Sequence, residues 1–233
     1  MNRFRLLLLA PSVVMLAARA AHPDGAPALA PSAVLARYGH ALATVRRPKS
    51  VSFQFTVEQL GLRTLQQTHR VYRSGPRERD ETLAADGVPL PVPSIRIVEN
   101  PVDRYDILAV APRPSAYDFK FIGLRHHAYV FKTIARAAAP FSVTAVELDA
   151  ATFLPAVVRF RVAGNGAHGN GELRYGRTDR YWVVRTAQIT ARLTNGSRAH
   201  ERIAWSAYQF PASLPPSTFV IPRSTAPPAS ASL

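Results

Sequence analysis

The chain has 233 residues, no cysteine, and 29 Lys+Arg against 15 Asp+Glu, a formal charge of +14. The missing cysteines exclude disulfides, thiolate metal sites and cysteine nucleophiles, so the fold must rest on its hydrophobic core, and this length suffices for one domain. Nearly all of the cations are arginine, and the only lysines are Lys49, Lys120 and Lys132. Such a charge either draws the protein to an anionic surface, lipid headgroups or an envelope polymer, or reflects arginine-rich composition spread over solvated strand faces. Nucleic acid is not expected as the partner.

Arg3 and Arg5 precede an apolar run from Leu6 to Ala17, and Ala18-Arg19-Ala20 has the small-x-small form of a cleavage site. This pattern predicts a secretion signal over residues 1–20. The run is shorter than the about 20 apolar residues a span needs, and Pro11 interrupts it. Without Arg3, Arg5 and Arg19 the remaining chain still carries +11, from 26 cations against 15 acids. No cysteine follows the cut to be acylated, so a free periplasmic protein is expected rather than a lipid-anchored one. Residues 21–31 are a Pro/Ala-rich linker, residues 32–222 a single domain, and residues 223–233 a disordered tail.

One amphipathic helix opens the domain. Ser32 is positioned to cap it, Val34, Leu35, Tyr38, Leu42 and Val45 recur at helical spacing, Arg46-Arg47 suit its carboxyl end, and Pro48 stops it. From Ser50 the period becomes two: Val51, Phe53, Phe55 and Val57 alternate with Ser52, Gln54, Thr56 and Glu58. Further strands are predicted at 68–73, 77–83, 104–110, 128–133, 141–148, 156–162, 171–175, 181–185, 187–193 and 198–208. Residues 88–101 and 111–125 are rich in proline and read as neither helix nor strand. Short strands separated by turn signals at Ser74-Gly75-Pro76, Asp86-Gly87, Gly164-Asn165-Gly166 and Asn195-Gly196 predict an antiparallel meander.

The hairpin at Asn195-Gly196 has two candidate registers. A two-residue loop pairs Ile189 with Arg202 and mixes polar and apolar groups on one face. A three-residue loop with Gly196 left-handed sets Ala187 against Ile203 and Ala191 against Ala199, and leaves Gln188 and Arg192 with Arg202 and Arg198. The second register is expected. It places Arg185 opposite Trp205, within cation–π reach, and leaves Glu201 as a misfit beside Ile189, either near a rim or paired with an arginine.

Several letter patterns carry no chemistry. Gly164 to Gly169 spells a dinucleotide-type fingerprint, but a strand follows where the phosphate chemistry needs a helix. His200-Glu201 begins a zinc motif that fails at Ala204, and adjacent His126 and His127 on a strand would point to opposite faces. No carboxylate couple or nucleophile elbow stands out, so no cofactor and no catalytic residue are assigned. The charged run Arg70, Arg73, Arg77, Glu78, Arg79, Asp80 and Glu81 reads either as a solvated face with cross-strand pairs or as a headgroup clamp formed by Arg73 and Arg77.

The order of elements resembles a known family. A helix of the form LxxYxxALxxV is followed by the strand SFxFTVEQ and an arginine–proline–arginine order at Arg73, Pro76 and Arg77, then a DG turn. A long strand pair closes on Tyr208, Phe210, Pro211, Leu214, Pro215, Ser217 and Phe219. This pattern, through most of residues 32–222, is similar to the LolA-type lipoprotein-sorting and lipid-binding proteins of the periplasm. The resemblance implies a mainly β (α+β) fold: a curved antiparallel sheet forming an unclosed β-barrel, with an N-terminal helix packed on its concave face. It implies an apolar cavity between helix and sheet that receives acyl chains of a lipid or lipoprotein, with no covalent chemistry. The expected lining is Phe53, Phe55, Val71, Tyr129, Phe131, Phe160 and Trp182, with Arg73 as the nearest match to an arginine that helps hold a lid. Ser74 and Gly75 intervene between Arg73 and Pro76, and the lid helices of the family's carriers have no visible counterpart. Anionic headgroups, an inner-membrane complex or an outer-membrane acceptor are the further partners implied. An envelope-stress sensor or protein-interaction module on the same fold is the alternative, and a hydrolase of envelope polymers the third.

Overall fold

The computed structural model describes residues 29–61, 64–164 and 167–221. The chain order is α1 (Pro31–Thr44), β1 (Ser50–Leu60), β2 (Leu65–Ser74), β3 (Arg77–Ala85), β4 (Val88–Glu99), α2 (Ile107–Val110), β5 (Tyr117–Arg125), β6 (Ala128–Ala135), β7 (Phe141–Asp149), β8 (Pro155–Gly164), β9 (Ala167–Thr178), β10 (Tyr181–Arg192) and β11 (Arg198–Gln209). The strands form one 11-stranded sheet in the order β4-β3-β2-β1-β11-β10-β9-β8-β7-β6-β5. Every neighbouring pair is antiparallel. Two meanders, β1–β4 and β5–β11, are thus joined where β1 pairs with β11. Strands β4 and β5 remain as free edges, so the curved sheet is an unclosed barrel, as expected. The segment 100–116, which carries α2, runs from one edge to the other across the concave face. The expected signal at 1–20, most of the 21–31 linker and the 223–233 tail lie outside the described residues.

The helix is shorter than its apolar pattern. Pro31 occupies the first turn, Ala30 is the N-cap, and Ser32 makes no capping bond; proline's fixed φ starts the helix two residues early. At the other end the Thr44 hydroxyl donates back to the His40 carbonyl at 2.9 Å, Val45 is already extended, and Pro48 disfavours helical Arg47. Val45, Arg46 and Arg47 therefore leave the helix. The strand expected at 104–110 is replaced by α2, whose first turn Asp106 caps by accepting from the Leu108 amide at 2.7 Å. The two proline-rich stretches contribute β4 and β5; proline is tolerated in β4 because it is an edge strand. His126 and His127 form a tight turn, both with positive φ (47° and 61°), the mirror-image geometry that suits a hairpin's twist.

The β10–β11 hairpin has the expected register: Ala187 faces Ile203, Ile189 faces Glu201, Ala191 faces Ala199 and Arg192 faces Arg198. Leu193 and Ser197 close a three-residue loop, with Gly196 at φ +82°. Arg185 departs from expectation. A bulge between Val184 and Thr186 takes it out of step with β9 and makes one continuous strand of the two expected there, and its guanidinium lies 5.9 Å over the Tyr208 ring, not on Trp205. A second irregularity, with Ala207 at φ 52°, returns Tyr208 to the face of Trp205.

The core fills one half of the hollow. Val34 and Tyr38 of α1 are fully buried against Phe131, Val143, Val146, Leu148 and Val158. Tyr38 meets Phe119 edge-on at 6.0 Å, and its hydroxyl donates to the Pro112 carbonyl at 2.6 Å, tying α1 to the crossing segment. Phe160 lies over Gly171, where a Cβ would sit 2.4 Å from the ring and 2.8 Å from the Gln188 carbonyl oxygen. Only glycine fits there.

Candidate functional site

The other half of the hollow is open. A cavity of about 680 Å³ lies between the concave face of β1, β2, β10 and β11 and the crossing segment, with Val45–Pro48 at its side. Period-two alternation places Val51, Phe53, Phe55 and Val57 of β1 on its floor, beside Val71, Ile203 and Trp205. Phe53 and Tyr208 lie 5.3 Å apart, and Tyr105 of the crossing segment meets Trp205 edge-on at 4.9 Å. Of the residues expected to bind ligand, Phe53, Phe55, Val71, Arg73 and Trp182 line this cavity together. Tyr129, Phe131 and Phe160 do not; they are buried in the packed core. They share the concave face, but α1 occupies the space above them. The expected location between helix and sheet is thereby corrected: the free space lies beside the helix, under the crossing segment.

A charged layer surrounds the apolar floor. Arg73 donates through Nε to Glu78 at 2.8 Å and through a terminal nitrogen to Asp103 of the crossing segment. Burial opposes its charge, yet Asp103 and Glu78 outweigh burial and raise its pKa above the ordinary arginine value. Arg47 binds Asp106 at 3.1 Å, so two ion pairs and the Tyr175 hydroxyl, which donates to the Tyr105 carbonyl at 3.0 Å, hold this segment over the cavity. The Tyr105 phenol is raised first by burial and then by the Glu201 charge. The Arg73–Arg77 clamp does not form: Arg77 reaches Glu99 at 3.4 Å from the opposite face of β3. On that same convex side Arg79 pairs with Glu81 and donates to the carbonyls of Thr218 and Val220, which pins the C-terminal segment.

Asp80 accepts from His69 at 2.8 Å and from Arg96 at 2.9 Å. Burial works to raise its pKa, but these two donors prevail and hold it below the usual aspartate value. The folded state then binds this proton less readily than the unfolded chain. Asp80 thus contributes stability that is full above the ordinary aspartate value, about 3.9, and is lost as pH falls through its lower folded value. In urea titrations at falling pH, Asp80→Asn is expected to lose stability less steeply than the parent below about pH 4. Parallel slopes would show that Asp80 carries none of the acid sensitivity.

Sequence reasoning missed Arg46, Arg47, Asp103, Tyr105, Asp106, Ile203 and Trp205 as cavity residues. The visible signal was Glu201, out of place on an apolar face; it sits at the cavity wall and accepts from Gln59 Nε2 at 2.7 Å. Among the described residues no helix is long and apolar enough to cross a membrane, and no group of metal-ligating side chains is gathered.

No protein-family model matches the chain, and no curated protein sequence does. Solved structures of similar shape include a putative outer membrane lipoprotein-sorting protein domain from Vibrio parahaemolyticus, 15% identical, TM-score 0.45, covering 79% of this chain and 95% of that one. A DUF1329 family protein from Desulfovibrio piger is 11% identical at TM-score 0.45, over 81% of this chain and 96% of that one. The LolA superfamily protein NE2245 from Nitrosomonas europaea is 11% identical at TM-score 0.42, over 83% and 99% respectively.

Proposed function

We propose that the protein is a soluble periplasmic carrier or chaperone that takes up the acyl part of a lipid or lipoprotein, and that it does no covalent chemistry. The observation that supports this reading is the open half of the barrel. A hollow of about 680 Å³ falls within the roughly 300–1,000 Å³ of ordinary ligand pockets. Its floor is aromatic and branched aliphatic, and its rim is charged. Burying acyl methylenes there contributes about 0.8 kcal/mol each, and no bond need form or break.

The rim adds orientation. Arg46 and Arg104 stand at the cavity, where an anionic headgroup would meet them while the chain lies on Phe53, Phe55 and Val71. Cleavage after Ala20 would deliver residues 32–222 to the periplasm as the working domain.

Native mass spectrometry of the purified protein is expected to reveal co-purifying lipid. Val57→Trp, which fills the floor, is expected to weaken binding of a fluorescent fatty acid at least tenfold while thermal unfolding stays close to that of the parent. Lipid-free protein that ignores the fatty acid would return the chain to the protein-interaction reading.

A further inference from the structure

Beyond the main cavity, the concave face continues into a second hollow of about 310 Å³, lined by Leu60, Ile189, Ala191, Leu193 and Ala199 as well as by Gln59, His200 and Glu201. Gln59 and Glu201 line both spaces. They are directly opposed on β1 and β11, and their side chains are joined by the 2.7 Å hydrogen bond. On one side of this bond lie Val57 and Ile203, on the other Ala191 and Ala199, while Ile189 flanks Glu201 on β10. One strip of apolar surface is therefore interrupted at a single polar rung.

We propose that the Gln59–Glu201 pair is a partition across one acyl channel and sets the longest chain the protein accepts. The inference rests on the lipid-binding reading above. A chain entering beneath the crossing segment gains apolar contact over Phe55, Val57 and Ile203 and then meets the pair. To go further it must part a hydrogen bond and lie against a carboxylate that loses water and gains nothing, since a methylene offers no donor. The space beyond is apolar enough to hold the chain's end, so the limit is set by the rung and not by lack of room.

The test uses isothermal titration of the purified protein with saturated fatty acids from octanoate to eicosanoate, each below its micellar concentration. For the parent, each added methylene is expected to strengthen binding by about fourfold until the chain reaches the rung, after which affinity levels off or falls. Glu201→Ala and Gln59→Ala are expected to move this break to longer chains. Glu201→Gln keeps a side chain of the same size that can still pair with Gln59, and is expected to retain the parental break. A break at the same length in the parent and both alanine variants overturns the partition while leaving the carrier reading intact. Absence of binding at every length in the parent overturns both. Because the two alanine substitutions sit on different strands, loss of fold in one leaves the other to decide.

Discussion

Phe131→Ala is expected to lower the unfolding free energy by about 3–5 kcal/mol, whereas Phe55→Ala costs less than half of that and acts instead on ligand binding. Both phenylalanines lie on the concave face, but their surroundings differ. Phe131 is fully buried and enclosed by Phe119, Phe121 and Val146 beneath α1, so its removal leaves a void that neighbours cannot fill. Phe55 already borders empty space, and it stacks on His69 at 4.6 Å. Truncating it enlarges a hollow without opening a new one. Chemical denaturation of the two variants, with fatty-acid binding measured alongside, checks the contrast. Equal losses of stability would mean that the two halves of the barrel are packed alike.

Arg73→Met is expected to destabilise by on the order of 2 kcal/mol or more, and to expose the crossing segment to proteolysis. Among the described residues Arg73 is the one cation that bonds both β3, through Glu78, and the segment, through Asp103. Removing it leaves Glu78 mostly out of water without a counter-charge, the situation in which breaking a buried pair costs far more than the pair contributes. Partial solvent access at Asp103 moderates the figure. Limited proteolysis with cleavage mapped to residues 100–106 distinguishes this from general loosening. Asp103→Asn, which keeps the shape and discards the charge, should show increased cleavage with a smaller loss of stability. If neither variant is cut faster than the parent, the Arg47–Asp106 pair and the Tyr175 and Tyr38 hydroxyls are enough to hold the segment.

The open, meandering sheet was legible in the sequence because its causes are local. Alternation at Val51, Phe53, Phe55 and Val57, and turn residues such as Asp86-Gly87 and Asn195-Gly196, act within a few residues of one another. The three-residue loop followed from one requirement, that polar and apolar groups keep to separate faces. Where local signals conflicted, the reading failed. The 104–110 segment, with Tyr105, Ile107, Leu108 and Val110, has the apolar content of a strand, but it crosses the concave face without running along either sheet edge, and Asp106 caps a short helix there instead. Proline obscured β4, whose position at the sheet edge makes proline acceptable.

The candidate site divides along the same line. Phe53, Phe55 and Val71 were legible as cavity residues because strand parity alone puts them on the inner face. Tyr129, Phe131 and Phe160 have the same parity, and nothing in the sequence distinguishes them. Which inner-face residues meet space and which meet α1 depends on where a helix and a crossing segment come to rest, which is a property of contacts between residues far apart in the chain. Sequence alone determined the alternation, the turns and hence an antiparallel sheet with one apolar face. Only the tertiary structure decided that α1 packs one half of that face, that Asp103 and Asp106 bridge the other, and that the hollow lies between, because side-chain periodicity specifies direction but not what stands opposite.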